Sequence, residues 1–427
     1  MQRHLAAAGK MISDRLTVPA SVEAISYAAA EANNSIRIWD GVTLANGHAG
    51  LATLFATLAA EPHWQGANYQ AAAVEHMAAA MQATTNDPIT GNDLYSGSSG
   101  LAFALNLCAE VEPRFSRARD AARLAALKHG MEEYSVQRAD GVAPEDYDVI
   151  SGPSGYLGWL LNLPMDLSAD AIDIVTDTML KIFEEGPGDS LLPKWRILPE
   201  LTLEEERLKI APDGYTDMGL AHGIPGSMAA LSLLPAPSQR IKETVWQLAQ
   251  WIISQRSSDM FGLNWPSIVP VGEVPKGNQS WKHSRTAWCY GSPGVLSALS
   301  LAQNRFPEFE LGDLIAEGTH ALASRVITTQ QFSTPTLCHG SAGVAVVLRY
   351  LQFEQKEALL EEALQSACEH LLSHVDEDAP FGVREVEPGN QRVDNPTLLN
   401  GAAGVALGIH AVLSSKRQPW TRMMMIG

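Results

Sequence analysis

The feature that most constrains the fold of this chain is a short motif that occurs seven times. Each copy consists of a glycine, two further residues, a second glycine and then an apolar stretch rich in alanine, leucine and valine. The copies begin at Gly47, Gly97, Gly152, Gly223, Gly291, Gly340 and Gly401. Successive first glycines are separated by 50, 55, 71, 68, 49 and 61 residues. The repeat therefore has a loose period, and its extra length is expected in loops.

The stretches that follow the glycines are apolar on nearly every face, which is typical of helices that are surrounded by other protein. The segments between them carry their charges on one side and predict amphipathic outer helices. These outer helices are predicted at Ser21 to Asn33, Tyr69 to Thr84, Arg114 to Gln137, Asp170 to Gly186, Ser238 to Arg256, Leu311 to Thr328 and Gln355 to Asp376. Helix pairs that each stack on two neighbours can close into a ring. We therefore predict an all-α (α/α)7 toroid of seven inner and seven outer helices.

Two segments near the fourth repeat, Leu191 to Asp217 and Leu263 to His283, contain proline and tryptophan and predict short β or irregular structure. We expect these loops to cap one rim of the ring. Length alone would suggest about three domains. Because the repeats extend over about residues 20–415, we instead predict one toroidal domain over residues 1–427.

Composition excludes several classes of protein. With 427 residues, of which 46% are hydrophobic and 18% charged, the chain can bury a large core. Its net charge of −18 is spread along the sequence and disfavours nucleic-acid binding. No apolar run reaches the roughly 18 residues of a membrane-spanning helix, and the charged N-terminal segment does not match a secretory signal. We therefore predict a cytoplasmic protein, in which four cysteines are too few for a disulfide framework.

Two cysteines and a histidine occupy equivalent positions in neighbouring repeats. Cys289 stands two residues before Gly291, Cys338 stands two residues before Gly340, and His339 lies between Cys338 and its glycine. In a ring, these positions lie at the N-terminal ends of inner helices on one rim. Two cysteines and one histidine with an open fourth position are the protein ligands of a catalytic zinc site. We predict one Zn²⁺ per chain on these three residues.

Further polar residues align with the same rim. His222 directly precedes the fourth motif and is either a general acid or base or a supporting hydrogen-bond partner. Asp148, just before the third motif, either orients such a base or pairs with Arg285. Asp146 lies close enough to Asp148 in sequence to be the alternative carboxylate.

Two aromatic residues and a histidine pair have more than one interpretation. Trp288 and Tyr290 either line a pocket or pack the turn around Cys289. His370 and His374 are four residues apart on a predicted helix and could face one ion. The glutamate of an HExxH motif is absent, which favours a solvated pair on an outer helix.

Four of these segments resemble the signature motifs of the lanthionine synthetase C-like family. They are RTAWCYGSPG from Arg285, TLCHGSAG from Thr336, GLAHGIPG from Gly219 and DVISGPSG from Asp148. The resemblance extends over all seven repeats, and the combination of WCYG with CHG is its most specific part. It implies an (α/α)7 toroid with one zinc ion per chain.

The resemblance also implies roles for individual residues. The zinc ligands would be Cys289, Cys338 and His339. The active-site histidine would be His222, supported by Asp148 and Arg285, and Tyr290 is a further candidate beside them.

Biosynthetic members of this family act on ribosomal peptides whose serines and threonines have been dehydrated. The resemblance implies a zinc-dependent cyclase in which a peptide cysteine thiolate adds to dehydroalanine or dehydrobutyrine and His222 protonates the resulting enolate. The product is a lanthionine or methyllanthionine thioether ring. The implied partners are the dehydrated precursor peptide, a separate dehydratase, because the toroid fills the chain, and an exporter.

Three other functions stay open at this point. A protein that adds glutathione to dehydrated residues, as eukaryotic LanC-like proteins do, would use the same residues. A protein prenyltransferase β subunit also activates a thiol on zinc in an α/α toroid, but it uses a mixed Asp, Cys and His ligand set. A non-catalytic peptide-binding scaffold with structural zinc would need a fourth protein ligand, for which the sequence offers no obvious candidate.

Overall fold

The computed structural model describes the chain except residues 34–38, 62–63, 65–67, 136–137, 139–140, 185–192, 203–204, 273–283, 330–331, 356 and 427. The described residues are mainly helical. Their α-helices are α1 (Gln2–Arg15), α2 (Pro19–Ala32), α3 (His48–Ala59), α4 (Tyr69–Asn86), α5 (Ser98–Val111), α6 (Ser116–Glu133), α7 (Pro153–Leu160), α8 (Met165–Glu184), α9 (Glu205–Ile210), α10 (Ile224–Ser232), α11 (Gln239–Ser254), α12 (Ser292–Arg305), α13 (Gly312–Thr329), α14 (Ser341–Glu354), α15 (Ala358–Ser373) and α16 (Ala402–Leu413). Within these described ranges, no helix has the length and apolar character needed to cross a membrane.

The described residues also contain short strands. They are β1 (Tyr215–Asp217), β2 (Ser257–Asp259), β3 (Gly262–Asn264), β4 (Ile268–Pro270), β5 (Glu385–Glu387) and β6 (Gln391–Val393). They form the antiparallel pairs β1–β4, β2–β3 and β5–β6. The described parts of the two predicted capping segments thus contain the expected short β structure. Residues 191–192, 203–204 and 273–283 of those segments lie outside the described residues.

All seven glycine motifs open a helix, as predicted. The first helical residue directly follows the first glycine in α3, α5, α7, α10, α12, α14 and α16. These helices are surrounded by protein; in α10, for example, every residue is buried. The prediction that the stretches after the glycines form inner helices is confirmed.

The predicted amphipathic helices are present as α2, α4, α6, α8, α11, α13 and α15. In α11, the buried Ile241, Val245, Leu248 and Ile252 recur at the spacing of one helix face. The predicted ends Gln137 and Gly186 lie outside the described residues. Helices α1 and α9 were not predicted, because neither belongs to the glycine repeat.

The chain forms two compact units that are each built from several stretches of sequence. The first unit comprises residues 1–128, 330–349 and 361–418, and the second comprises residues 129–329, 350–360 and 419–427. In the first unit, backbone hydrogen bonds join the turns that precede the inner helices. The N–H of Cys338 donates to the carbonyl of Leu399, that of Leu398 to Ala45, and that of Ala45 to Tyr95. The turns of four repeats therefore lie side by side, with the last repeat next to the first.

The second unit uses the same connection between its own turns. The N–H of Val149 donates to the carbonyl of Ala221, and the N–H of Ala221 donates to the carbonyl of Cys289. The turns that precede the third, fourth and fifth motifs are consequently held next to one another.

The second glycine of a motif allows this close approach. A Cβ atom on Gly100, in α5, would lie 2.1 Å from the carbonyl oxygen of Leu94 and 3.0 Å from Cβ of Leu44 in the preceding repeat. Gly100→Ala is therefore expected to lower the free energy of unfolding by about 2 kcal/mol or more, because the backbone oxygen cannot move aside as a flexible side chain would. Urea denaturation measures this change.

Gly312→Ala is the matched control for this prediction. A Cβ atom on Gly312, the first residue of α13, would have no neighbouring heavy atom within 4 Å. The free energy of unfolding of the Gly312→Ala variant should stay within about 0.5 kcal/mol of that of the unsubstituted protein. Equal denaturation midpoints for Gly100→Ala and Gly312→Ala would contradict the packing role of the second glycine.

Candidate active site and metal centre

The structure brings together Cys289, Cys338 and His339, which lie in the turns before the fifth and sixth motifs. One ligand atom from each of Cys289, Cys338 and His339 lies within 4.8 Å of the other two. Cys289 is buried, whereas Cys338 and His339 are half-buried. Among the described residues, this is the group of three or more histidine, cysteine and acidic side chains that is arranged to hold a metal ion.

The chemistry of this donor set fits zinc. Thiolate and imidazole ligands together suit Zn²⁺ better than the oxygen-seeking ions, and three protein ligands leave one position of a tetrahedron for a substrate or water. The other two cysteines do not compete for this role. Cys108 and Cys368 are buried within α5 and α15, where burial raises the pKa of each thiol to about 12.

The histidine pair on α15 has a different environment. The rings of His370 and His374 have centroids 4.7 Å apart, and Nδ1 of His370 lies 3.1 Å from the hydroxyl of Ser341. The sequence predicts a solvated pair on an outer helix. In the structure, both histidines are half-buried, His370 in the last turn of α15 and His374 at its C-terminal end. The described residues offer no third ligand to this pair.

The turn that carries Cys289 is fixed by its backbone and by a buried tryptophan. Gly291 has a φ of +111°, and a Cβ atom there would lie 1.7 Å from the carbonyl oxygen of Arg285, so glycine is required. The side chain of Trp288 is fully buried and donates its Nε1–H to the carbonyl of Met424 at 2.7 Å. Trp288 therefore packs the turn.

His222 is paired with a buried carboxylate. Nδ1 of His222 lies 2.6 Å from Oδ2 of Asp148, whose side chain is fully buried, while the histidine side chain is 37% exposed. The N–H of Ser151 donates to the other oxygen of Asp148 at 2.7 Å. Asp146 instead pairs with Arg138 at 2.5 Å. Asp148 is thus the carboxylate that orients His222.

This pairing favours the charged form of the histidine. Burial lowers the pKa of His222, but the hydrogen bond and charge of Asp148, together with the charge of Asp217, outweigh burial and raise the pKa above its ordinary value. Burial also raises the pKa of Asp148, against the opposing effect of the hydrogen bond from His222. A histidine in this setting can carry a proton near neutral pH, and its Nε2 is the nitrogen that Asp148 leaves available.

Arg285 does not supply the partner of Asp148. Its side chain is exposed, and the contacts of Asp148 are made by His222 and by backbone N–H groups. The predicted alternative of an Asp148–Arg285 pair is therefore not formed, because the buried carboxylate faces the turn of His222.

The arginine that does contact a carboxylate here is Arg207, in α9. Its Nη1 lies 2.5 Å from Oδ2 of Asp217, and its Nη2 donates to the hydroxyl of Tyr290 at 2.7 Å. The hydroxyl of Tyr290 in turn donates to Oδ2 of Asp217 at 2.8 Å.

Sequence reasoning missed both Arg207 and Asp217. Asp217 stands six residues before Gly223, the register that Arg285 has before Gly291, so a search of charged residues at this position would have found it. Arg207 lies in an insertion between two repeats, and no repeat signal marks it.

Comparisons with known proteins agree with this architecture. A sequence model described as lanthionine synthetase C-like protein matches residues 38–425. The nisin biosynthesis protein NisC of Lactococcus lactis subsp. lactis is 23% identical over 316 residues, which cover 70% of this chain and 71% of that protein. The solved structure of a nisin cyclase aligns with a TM-score of 0.75 at 17% identity, over 95% of this chain and 96% of that one. This similarity confirms the α/α toroid, while its organisation as one domain over residues 1–427 stays a prediction.

Proposed function

We propose that this chain, which belongs to the lanthionine synthetase C-like family, is a zinc-dependent cyclase that forms thioether rings in a dehydrated peptide. The observation that carries the proposal is the convergence of Cys289, Cys338 and His339. The turn of Cys289 is also hydrogen-bonded, through Ala221, to the turn of His222. A thiol-activating group and a proton donor are therefore expected in one site.

The three ligands determine how the peptide nucleophile would be prepared. A zinc ion bound by them would lower the pKa of a thiol at the fourth position, so that a peptide cysteine would be a thiolate near neutral pH. Cys289 and Cys338 would act as thiolate ligands, and His339 as a neutral one.

His222 would complete the reaction. Addition of the thiolate forms a C–S bond at the β-carbon of dehydroalanine or dehydrobutyrine and leaves an enolate that must gain a proton at its α-carbon. His222 would supply this proton from Nε2, while Asp148 fixes the ring through Nδ1 and stabilises the imidazolium. Sulfur and hydrogen add across the double bond overall, so the mass of the peptide does not change.

This function requires partners that prepare and receive the peptide. The substrate would be a precursor whose serines and threonines a separate dehydratase has converted to dehydro residues, and an exporter would take the product. We place the reaction in the cytoplasm, where the cysteines of protein and peptide stay reduced.

The test uses purified protein, zinc and a synthetic peptide that contains one cysteine and one dehydroalanine. After incubation, unreacted thiols are blocked with an alkylating reagent and the peptide is weighed. Ring formation is expected to prevent alkylation without changing the mass, and removal of zinc with a chelator should abolish this protection until zinc is restored.

Two outcomes would decide against the proposal. If the zinc-loaded protein leaves the peptide as open to alkylation as buffer alone does, cyclisation is excluded for this substrate class. If added glutathione appears on the peptide faster than the ring forms, the protein is a glutathione-adding member of the family.

A further inference from the structure

We propose that Arg207 and Asp217 are positioning residues that hold Tyr290 as a hydrogen-bond acceptor for the peptide beside His222. The inference rests on the proposed cyclase function and adds residues outside the glycine repeat to it. It is carried by a closed set of contacts among these side chains in the second unit.

The hydroxyl of Tyr290 has a defined direction. It donates its proton to Oδ2 of Asp217 at 2.8 Å and accepts a hydrogen bond from Nη2 of Arg207 at 2.7 Å. A phenol has one donor and two lone pairs, so one lone pair remains. Because the proton of Tyr290 points to a carboxylate, Tyr290 is placed to accept a hydrogen bond from a peptide N–H and not to protonate the enolate.

The two charged residues are themselves held on several sides. The side chains of Arg207 and Asp217 are 16% and 1% exposed, and their atoms Nη1 and Oδ2 are 2.5 Å apart. The guanidinium of Arg207 lies 5.2 Å from the ring centroid of Tyr215 and 5.3 Å from that of Tyr290. The second oxygen of Asp217 accepts the N–H of Gly219 at 2.8 Å. A buried ion pair needs such extra hydrogen bonds to offset its desolvation.

The ring of Tyr290 lies against the turn that carries His222. The ring centroids of Tyr290 and His222 are 6.4 Å apart. A Cβ atom on Gly219 would lie 2.7 Å from Cε1 of Tyr290 and 2.7 Å from the carbonyl oxygen of Cys289, so this glycine lets the two turns touch. The contacts from Arg207 and Asp217 therefore fix both the hydroxyl of Tyr290 and its ring in relation to the histidine.

A double-mutant cycle tests this coupling. Arg207→Lys keeps a positive charge for Asp217 but removes the second guanidinium nitrogen, Nη2, that donates to Tyr290. Tyr290→Phe removes only the hydroxyl. Both single variants and the double variant are assayed for kcat and KM of ring formation, with zinc content and Tm measured in parallel. We expect each single variant to lose roughly tenfold or more in kcat/KM with zinc retained, since small errors in substrate placement are costly.

The kcat/KM of the double variant decides whether Arg207 acts through Tyr290. If Arg207 acts through Tyr290, the double variant should lose no more than the more affected single variant does. Losses that multiply, or wild-type kinetics in Tyr290→Phe, would overturn the proposal and leave the Arg207–Asp217 pair as an anchor of α9.

Arg325→Lys is the matched control. Arg325 is also a buried arginine in an ion pair, with the more exposed Asp259 at 2.7 Å, and it lies over the ring of Phe261. Its further contacts are with Ser292 and the carbonyl of Leu263, so it does not contact Tyr290. Arg325→Lys should lower Tm while kcat and KM stay at wild-type values, which separates loss of a buried arginine from loss of substrate placement.

The same variants distinguish this inference from the proposed function. The Kd for the dehydrated peptide is measured by calorimetry on all four proteins without turnover. Wild-type protein that binds the peptide and forms no ring would contradict the cyclase function, yet the cycle in Kd would still test the network. Additive changes in Kd, or a wild-type Kd in Tyr290→Phe, would overturn the network alone.

Discussion

Alanine in place of Cys289 or Cys338 is expected to remove zinc from the protein and to abolish ring formation. Each replacement leaves two of the three ligand atoms that now lie within 4.8 Å of one another, and two ligands do not hold a structural or catalytic zinc ion tightly. Metal analysis of the purified variants should fall from one zinc per chain to background. The alkylation assay should then show peptide thiols that react fully.

The other cysteines provide the control for this experiment. Cys368→Ala changes a buried thiol in α15 that lies outside the ligand group, so this variant should keep one zinc per chain and its activity. Full zinc retention in both Cys289→Ala and Cys338→Ala would refute the ligand assignment.

Replacement of His222 should separate metal binding from proton transfer. His222→Asn is expected to keep zinc and to bind the peptide, since its side chain contributes no ligand to the group of Cys289, Cys338 and His339. It should lower the rate of ring formation by about 10²- to 10⁴-fold, the usual contribution of a positioned general acid. The rate is measured from the fraction of alkylated peptide over time.

Two further variants serve as a control and a comparison for His222→Asn. His129→Asn changes an exposed histidine on α6 and should leave the rate unchanged. Asp148→Asn, which removes the charge that stabilises the imidazolium but keeps His222 itself, should cost less than the loss of the histidine. Ring formation at a near-normal rate by His222→Ala would remove this histidine from the mechanism.

The helices and the convergence of Cys289, Cys338 and His339 could be predicted because they follow from a repeat. A glycine that opens an apolar stretch has the same local consequence in all seven copies, and equivalent positions in neighbouring copies come to lie next to each other. Cys289 and Cys338 were recognisable for that reason. Because both lie two residues before a motif glycine, the repeat predicts that they are close in space, which a single cysteine could not indicate.

The remaining site residues depend on contacts that no local pattern encodes. Whether Asp148 faces His222 or Arg285 is decided by the backbone direction of each turn, and sequence spacing does not report it. Arg207 is far from the glycine motifs in sequence, and its side chain is held near Tyr290 by contacts with Tyr215 and Asp217 of β1. Insertions of this kind carry no period, so the sequence did not distinguish Arg207 from the other arginines of the chain.

The hydrogen bond between Leu398 and Ala45 has a consequence for synthesis of the chain on the ribosome. The first unit joins its earliest repeat to its last, and the second unit includes residues 419–427, of which Met424 binds Trp288. Neither unit can finish folding until the final repeat has left the exit tunnel. The nascent chain must therefore keep the contact faces of its first and last repeats uncovered until translation is nearly complete, which prolongs the exposure of apolar surface to aggregation and to chaperones.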